Sequence, residues 1–285
     1  MKTRELLELF KDSQLQAKEV LEVELLNEDV ESLGYKSFVD LAQLFFMKML
    51  SPRYENNKTI LRFYKLNRDS SFHKALSSIE KYGVDSEFFS INKAEQVSFL
   101  YHYQEALKFV KIKDRKRVLN LGINTGDEFR VIKELLQDDE FKEKEFVGID
   151  YSASAIEYAK KDFKDKNIEF IAHDINKLQE LKMQRYDLVI SIGTLQSSSI
   201  NFNLAFMSIY QNHLEKDGSI ILGFPNCRWI DGEMIYGAKA PNYSFNEMSL
   251  VLKDIHFCKK YLQQKKYKVI ITGKDYLFLA ARKIC

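Results

Sequence analysis

The stretch that decides the fold is Val118-Leu119-Asn120-Leu121-Gly122-Ile123-Asn124-Thr125-Gly126, residues 118–126. Its first four residues are mostly apolar and predict a β-strand, and the residues after Gly126 repeat apolar side chains at helical spacing. The glycines between them let a backbone approach a ligand closely, and a helix presents unpaired N–H groups at its first turn. The stretch therefore predicts either a nucleotide-type binding site or an ordinary strand-to-helix connection.

The bulk composition is typical of a globular protein, with 45% hydrophobic and 29% charged residues among 285. This length allows one large domain or two small ones. The net charge of +2 gives no indication of a polyanionic partner. Basic residues concentrate in residues 48–74 and 253–283, where a solvated face is the first interpretation and contact with nucleic acid is the alternative.

Neither a disulfide framework nor a metal site is expected, because the three cysteines and five histidines show no ligand spacing. The N-terminal residues include several acidic side chains and do not resemble a signal peptide. The most apolar long stretch, residues 38–50, contains charged residues and is too short to span a bilayer. These features predict a reduced, cytoplasmic protein that makes no membrane contact.

Residues 1–112 are predicted to form a helical N-terminal region that acts as a cap or lid. Apolar side chains recur there at intervals of three and four residues. The four stretches that show this spacing are Leu7 to Leu21, Phe38 to Met49, Phe72 to Ile79, and Val97 to Leu107. Ser51-Pro52 is expected to end the second helix, and Gly83 is expected to end the third.

Residues 113–285 alternate between predicted strands and helices, which is typical of a doubly wound α/β domain with a mostly parallel sheet. The predicted strands are residues 118–121, 145–149, 168–172, 186–192, 219–224, 269–272 and 276–281. The predicted helices are residues 128–136, 153–163, 203–214 and 249–264, and residues 216–218 are expected to form a turn. The last two strands are expected to form a hairpin.

Ligands of open α/β sheets bind beyond the carboxyl ends of the strands, so the residues that follow each strand are the candidates. Asp150 follows the second strand, where its carboxylate can accept hydrogen bonds from a ribose diol. Ser152 can cap the next helix itself, so a capping role for Asp150 is disfavoured. Asp174 follows the third strand and can receive an adenine amine, with capping as the alternative. Gly193 and Thr194 follow the fourth strand.

Residues 117–283 resemble the class I S-adenosylmethionine-dependent methyltransferases. The matching elements are residues 118–126, Gly148-Ile149-Asp150-Tyr151-Ser152, His173-Asp174-Ile175, and residues 186–191 and 218–222. The turn and strand from Gly273 to Ala281 resemble the antiparallel seventh strand of that family. The resemblance implies S-adenosyl-L-methionine as cofactor, bound by Asn120, Gly122, Asn124, Gly126, Asp150, Tyr151, Asp174, Ile175, Ser191 and Gly193.

Two residues depart from the family pattern. Asn120 stands where the family usually has an acidic residue, and its amide oxygen can still accept a hydrogen bond from the methionine ammonium group. Asn124 stands where the family usually has glycine, and asparagine tolerates left-handed backbone better than most residues. These departures leave open a non-catalytic binding or regulatory protein.

Six residues after the fourth and fifth strands are candidates for substrate binding: Thr194, Gln196, Asn226, Arg228, Trp229 and Tyr236. Polar groups beside the only tryptophan of the chain predict a small polar substrate, and a loop whose tryptophan fills the core is the alternative. Tyr236 and Tyr243 are candidates to close such a pocket. No catalytic residue is assigned.

The first functional hypothesis is methyl transfer to an N or O atom of a small polar molecule, with the N-terminal region as a lid. The resemblance also makes Tyr101, His102 and Tyr103 candidates for cofactor contact, since the segment before the first strand often lines the pocket in this family. The alternative is a tRNA or rRNA methyltransferase that binds phosphates through its basic stretches.

Overall fold

The computed structural model describes residues 2–69, 86, 89, 91–237 and 248–284. The helices in this part of the chain are α1 (Thr3–Asp12), α2 (Asn27–Leu44), α3 (Val97–Phe109), α4 (Asp127–Leu135), α5 (Asp138–Lys142), α6 (Ala153–Asp162), α7 (Phe202–Ser208) and α8 (Ser249–Gln264). The strands are β1 (Val20–Leu26), β2 (Met47–Glu55), β3 (Lys58–Lys65), β4 (Arg117–Leu121), β5 (Glu145–Asp150), β6 (Ile168–Ala172), β7 (Tyr186–Ile192), β8 (Leu214–Pro225), β9 (Cys227–Ile230), β10 (Glu233–Tyr236), β11 (Tyr267–Gly273) and β12 (Tyr276–Lys283). No helix among these is long and apolar enough to cross a membrane.

The described residues divide into two compact units. The first unit contains residues 2–69 and 227–237, and the second contains residues 86, 89, 91–226 and 248–284. The helix α3 was predicted to belong to the N-terminal region, and it lies in the second unit. The role of the N-terminal region as a lid stays a prediction.

The second unit is built on a seven-stranded sheet of order β11-β12-β8-β7-β4-β5-β6. The strands from β8 to β6 pair in parallel, and β12 is antiparallel to both of its neighbours. Apolar residues of the strands pack against α7 and α8 in a continuous core. Gly273 makes the tight turn into β12 at φ +116°, where a Cβ atom would lie 1.9 Å from the carbonyl oxygen of Tyr276. The predicted mostly parallel sheet with an antiparallel C-terminal strand is confirmed.

Three details of the second unit differ from the prediction. One helix was predicted over residues 203–214, and the structure has α7 up to Ser208, a π-helix over Ile209–His213, and Leu214 in β8. The strand β8 begins at Leu214, so the expected turn at residues 216–218 lies inside the strand. It forms an irregularity there, because Leu214 pairs with Tyr186 and the next pair is Ser219 with Leu188. The short helix α5 between α4 and β5 was not predicted.

The prediction of an all-helical N-terminal region is wrong. The first unit contains an antiparallel sheet of order β1-β3-β2, flanked by α1 and α2. In β1 the buried side chains of Val23 and Leu25 alternate with the exposed Glu22 and Glu24, which is the spacing of a strand. Met49 lies in β2 and not in a helix.

Pro52 does not end a helix, because it lies within the edge strand β2 where the register shifts between Leu50 and Arg53. An edge strand tolerates proline at such an irregularity, since proline has no N–H to donate. The predicted helix over residues 97–107 is confirmed as α3. The predicted helix at Phe72 to Ile79, its end at Gly83, and Tyr243 lie outside the described residues.

The segment that was predicted to be a polar substrate loop is a hairpin of β9 and β10. Its two-residue turn is Asp231-Gly232, and both residues have positive φ angles, +52° and +75°. An Asp-Gly pair favours this type of turn because both positions must adopt left-handed backbone. The hairpin belongs to the first unit, where Ile230 and Ile235 pack with Leu66.

Candidate cofactor site

The carboxyl ends of the parallel strands β7, β4, β5 and β6 meet at one edge of the large sheet. The turn after β4 is tied to β5, because the N–H of Gly122 donates to the carbonyl oxygen of Ile149 at 2.7 Å. Gly122 has φ +81°, and a Cβ atom there would lie 1.8 Å from Oγ1 of Thr194. Only glycine fits this position, and Thr194 after β7 therefore lies directly beside the glycine turn.

Asn124 adopts left-handed backbone with φ +47°, which confirms that asparagine can hold this turn. Its N–H donates to Oδ2 of Asp150 at 2.9 Å. Gly126 has φ +95° and precedes α4, and a Cβ atom there would lie 2.5 Å from the ring of Phe163. The turn after β4 is thus closed on one side by the carboxylate that ends β5.

The carboxylate of Asp150 is oriented by two backbone donors. Oδ2 accepts from Asn124, and Oδ1 accepts from the N–H of Ser152 at 2.9 Å. The hydroxyl of Ser152 accepts from the N–H of Ala155 at 3.3 Å and caps α6, so Asp150 is not the cap, as predicted. Each oxygen of Asp150 accepts one of these N–H groups and has a further lone pair for a ligand hydroxyl.

Burial raises the pKa of Asp150 above its ordinary value of 3.8. The N–H groups of Ser152 and Asn124 and the charge of Lys93 act in the opposite direction. The neighbouring Tyr151 is exposed. The ionised form of Asp150 therefore depends on its backbone donors and on a cation that lies far away in the sequence.

Asp174 follows β6 and caps the 3₁₀ helix Ile175–Leu181, which is the alternative that the sequence left open. Its Oδ1 accepts from the N–H of Asn176 at 2.9 Å and from the side-chain amide of Asn176 at 3.0 Å. Ile175 is buried. The N–H of His173 donates to the carbonyl oxygen of Asp150 at 2.9 Å, so this segment lies next to the end of β5. A role of Asp174 toward adenine stays a prediction.

The end of β7 is fixed to its neighbours by Ser191 and Gly193. The buried hydroxyl of Ser191 donates to the carbonyl oxygen of Leu121 at 3.0 Å, which joins β7 to β4. Gly193 has φ +74°, and its N–H donates to the carbonyl oxygen of Gly223 at 2.8 Å. A Cβ atom on Gly193 would lie 3.9 Å from the ring of Tyr276. Both predicted residues therefore lie at the same sheet edge as the glycine turn.

Three amide side chains at this edge have buried atoms without a hydrogen-bond partner in the described part of the chain. Asn120 is fully buried, and neither its oxygen nor its nitrogen is paired. The same holds for Oδ1 of Asn124 and Oε1 of Gln196. Because buried polar atoms in folded proteins are nearly always hydrogen-bonded, these atoms mark positions that a polar ligand can satisfy.

Lys93 was not predicted as a site residue, and it lies in the 3₁₀ helix Lys93–Glu95 before α3. Its Nζ lies 2.7 Å from Oε1 of Glu128 in the first turn of α4, and both side chains are nearly inaccessible to solvent. Burial lowers the pKa of Lys93, but the Glu128 carboxylate, Tyr276 and Asp127 outweigh it and raise the pKa above its ordinary value. Burial raises the pKa of Glu128, which Lys93 opposes.

The three aromatic candidates of α3 are placed differently from one another. Tyr103 is fully buried, and its hydroxyl donates to the backbone carbonyl of Glu128 at 3.4 Å. Tyr101 and His102 line a cavity of about 560 Å³ with residues of β11, which include Thr272. Tyr103 therefore contacts α4, whereas Tyr101 and His102 lie beside the edge strand β11.

The candidate substrate residues are divided between the two units. Thr194 and Gln196 follow β7 in the second unit, as does Asn226 after β8. Asn226 is buried. Its backbone N–H donates to the carbonyl oxygen of Asp275 at 2.7 Å, and its side-chain amide donates to the backbone carbonyl oxygen of Lys274 at 2.9 Å. Arg228, Trp229 and Tyr236 lie in the β9–β10 hairpin of the first unit.

A glycine turn, an oriented carboxylate and buried unpaired amides at the ends of parallel strands, in a sheet with an antiparallel β12, define the class I methyltransferase fold. Residues 112–271 match the family model that is described as a methyltransferase domain. The chain belongs to this methyltransferase domain family. It is an S-adenosylmethionine-dependent methyltransferase, with S-adenosylmethionine as its cofactor.

Comparison with solved structures finds similar folds. One is a putative caffeoyl-CoA O-methyltransferase from Staphylococcus aureus, with 14% identity, a TM-score of 0.46, and coverage of 74% of this chain and 94% of that chain. Another is a putative rRNA-methylase from Clostridium thermocellum, with 15% identity, a TM-score of 0.46, and coverage of 64% and 95%. A third is PKMT2 from Rickettsia typhi in complex with AdoHcy, with 22% identity, a TM-score of 0.34, and coverage of 38% and 21%. No curated protein matches the sequence.

Proposed function

We propose that this methyltransferase transfers the methyl group to an N or O atom of a small polar molecule. The observation that supports this is the buried, unpaired Oε1 of Gln196, two residues beyond the Thr194 that contacts the glycine turn. An amide oxygen accepts hydrogen bonds, so it suits a substrate whose nucleophilic N or O atom carries hydrogen. Leaving such an acceptor unpaired costs about 1–3 kcal/mol, which a bound substrate removes.

The residues at the carboxyl ends of the parallel strands fit the cofactor. Asp150 can accept hydrogen bonds from the ribose hydroxyls, and the orphaned amide oxygen of Asn120 can accept from the methionine ammonium group. The glycine turn leaves room for close approach of the ligand. When bound, the cofactor supplies an electrophilic methyl group. The protein then contributes chiefly by holding the substrate in line, with Thr194 and Gln196 as the orienting groups.

An RNA substrate is the second possibility, and the test must distinguish it from a small molecule. Within the first unit, Arg53 and Arg62 both pair with Glu22, and Lys58 pairs with Glu24. These acidic partners neutralise part of the positive charge of residues 48–74. A surface with less positive charge favours a small substrate over a polyanion. A cytoplasmic location stays a prediction from the sequence.

The deciding experiment is transfer of a radiolabelled methyl group from S-adenosylmethionine into a fractionated cell extract. We expect label in the small-molecule fraction, and label confined to RNA would contradict the proposal. Gln196→Ala should lower kcat/KM by about tenfold or more, since one hydrogen bond to a buried acceptor is lost. The matched control is Ser198→Ala, an exposed residue of the same turn. Calorimetry with S-adenosylmethionine identifies a non-catalytic protein, which would bind the cofactor weakly or not at all.

A further inference from the structure

The first unit contains two arginines that lie over one aromatic ring and a lysine that lies near one of them, which we call the Phe46 cluster and define as Phe46, Lys65, Arg68 and Arg228. The guanidinium carbon of Arg228 lies 4.6 Å from the centroid of the Phe46 ring, and that of Arg68 lies 4.8 Å from it. Both distances are in the range of cation–π contacts. Two positive groups are thus held close to the same ring by chain segments that are distant in the sequence.

The ring of Phe46 is held in place by apolar side chains. It packs on the buried side chains of Leu66, Ile230 and Ile235. Phe46 also has φ +55°, which is unusual for a bulky residue, and its carbonyl oxygen accepts from the N–H of Leu66 at 2.9 Å. Unfavourable backbone conformations of this kind concentrate at binding sites, because the surrounding structure must hold them.

The charge of Arg228 is not balanced within the described residues. Arg228 has no carboxylate partner there, and its buried Nε has no hydrogen-bond partner. Burial lowers the pKa of Arg228, and the positive charge of Arg68 lowers it further. The pKa of Lys65 is lowered by the same two causes in the same order.

Two carboxylates of the first unit are paired with other cations. Glu233 of the same hairpin lies 3.0 Å from Nζ of Lys48. Glu22 pairs with two arginines of the adjoining sheet, Arg53 and Arg62. These two carboxylates therefore do not pair with Arg228, which lies close to the positive charge of Arg68.

We propose that the Phe46 cluster binds a phosphate group of a small molecule. A guanidinium group presents a planar fork of N–H donors that matches a phosphate oxyanion, and such charge-assisted bonds are stronger than neutral ones. A single phosphate is favoured over an RNA backbone, because the basic side chains of the adjoining β-strands already have acidic partners. This inference does not depend on the proposed substrate of the methyltransferase site, since it is tested without cofactor.

The test is calorimetric titration of the full chain with inorganic phosphate and with glycerol phosphate, at constant ionic strength set by sodium chloride. We expect saturable binding that Arg228→Gln weakens by about tenfold or more. Arg228→Lys keeps the charge and loses the fork, so it should bind with intermediate affinity. The control is Arg53→Gln, an arginine of the adjoining sheet that is paired with Glu22 and should leave the affinity unchanged. Circular dichroism verifies that each variant is folded. If Arg228→Gln does not fold, the comparison is made with Arg228→Lys.

Three results would overturn the proposal. The first is the absence of heat with both phosphate compounds at tens of millimolar, when chloride is the reference. The second is an equal loss of affinity in Arg228→Gln and Arg53→Gln, which would show non-specific screening. The third is binding of a short single-stranded RNA that depends on Arg228, without binding of either small phosphate compound.

Discussion

Two cations of this protein face opposite electrostatic situations. Lys93 of the second unit is almost inaccessible to solvent and lies 2.7 Å from the carboxylate of Glu128. Arg228 of the first unit is half-buried, lies over the ring of Phe46, and has no carboxylate partner in the part of the chain that the structure describes. The pKa of Lys93 is raised and that of Arg228 is lowered, although burial acts to lower both.

The difference shows how a charge can be used inside a protein. A buried cation with a buried counter-ion contributes to the folded structure, and removal of one partner leaves the other uncompensated. A cation without a counter-ion contributes little to folding and is available to an anionic ligand. The comparison therefore assigns a structural role to Lys93 and a binding role to Arg228, and each can be tested by substitution.

The largest effect is expected for Lys93→Met. This change leaves the carboxylate of Glu128 buried without its ion partner, which should lower the free energy of unfolding by about 3–5 kcal/mol at pH 7. The contribution of Lys93 is fully present below its unfolded pKa of 10.5, because its folded pKa is raised, and it is lost as the pH rises through the folded pKa. Urea denaturation of both proteins measures the difference.

The double variant Lys93→Met with Glu128→Leu is the control, since it removes both charges and should recover most of the loss. The deficit of the single variant should also shrink on acidification, because burial raises the pKa of Glu128 and a protonated carboxyl is less costly to bury. A loss below about 1 kcal/mol in the single variant would show that the pair is not a structural element.

The second largest effect is expected for Asp150→Ala, which should weaken binding of S-adenosylmethionine by about 1–3 kcal/mol. The change removes the acceptor of two backbone N–H groups and of the ribose hydroxyls that we assign to it. Asp150→Asn is the matched control, because it keeps the size and one acceptor oxygen. Calorimetry measures both affinities, and an unchanged affinity in the alanine variant would show that the ribose site lies elsewhere.

A smaller effect should appear in the pH dependence of cofactor binding. Burial raises the pKa of Asp150, so the cofactor affinity should fall on acidification at a higher pH than an exposed aspartate would give. Lys93 opposes that rise, so the fall should begin at a still higher pH in folded Lys93→Met protein. Lys133→Met is the control, since Lys133 pairs with Asp165 on the surface. Identical pH profiles in all three proteins would show that the charge of Lys93 does not reach the cofactor.

The sequence predicted the second unit well because parallel strands leave strong local signals. The strands β4, β5 and β7 are apolar runs with Gly122, Asp150 and Gly193 at or directly after their ends, and Asp150 lies within hydrogen-bonding distance of the N–H of Asn124. Lys93 was missed, because nothing in its own surroundings indicates that it pairs with Glu128. Such a pair depends on tertiary structure and has no local pattern.

The first unit was predicted poorly for a different reason. Apolar residues of α1 and β1 also fit helical spacing when they are counted together, and this hid the alternation of Glu22, Val23, Glu24 and Leu25. The Asp231-Gly232 pair was a usable hairpin signal that polar neighbours obscured. The local patterns that indicate β1 and the β9–β10 hairpin were therefore present in the sequence. The predictions of a helix and of a polar loop over longer stretches took precedence over them.

The smallest effect is expected for Arg228→Met in the absence of phosphate. Loss of the contact with Phe46 costs about 0.5–1 kcal/mol, and relief of the repulsion from Arg68 offsets part of it. The exposed Arg53, paired with Glu22, provides the control, because Arg53→Met should also cost less than about 1 kcal/mol. Added phosphate should stabilise the unchanged protein and Arg53→Met, and it should stabilise Arg228→Met less, since ligand binding raises the free energy of unfolding by mass action. Denaturation with and without phosphate at fixed ionic strength measures this, and a loss above about 3 kcal/mol without phosphate would show that Arg228 is held as Lys93 is.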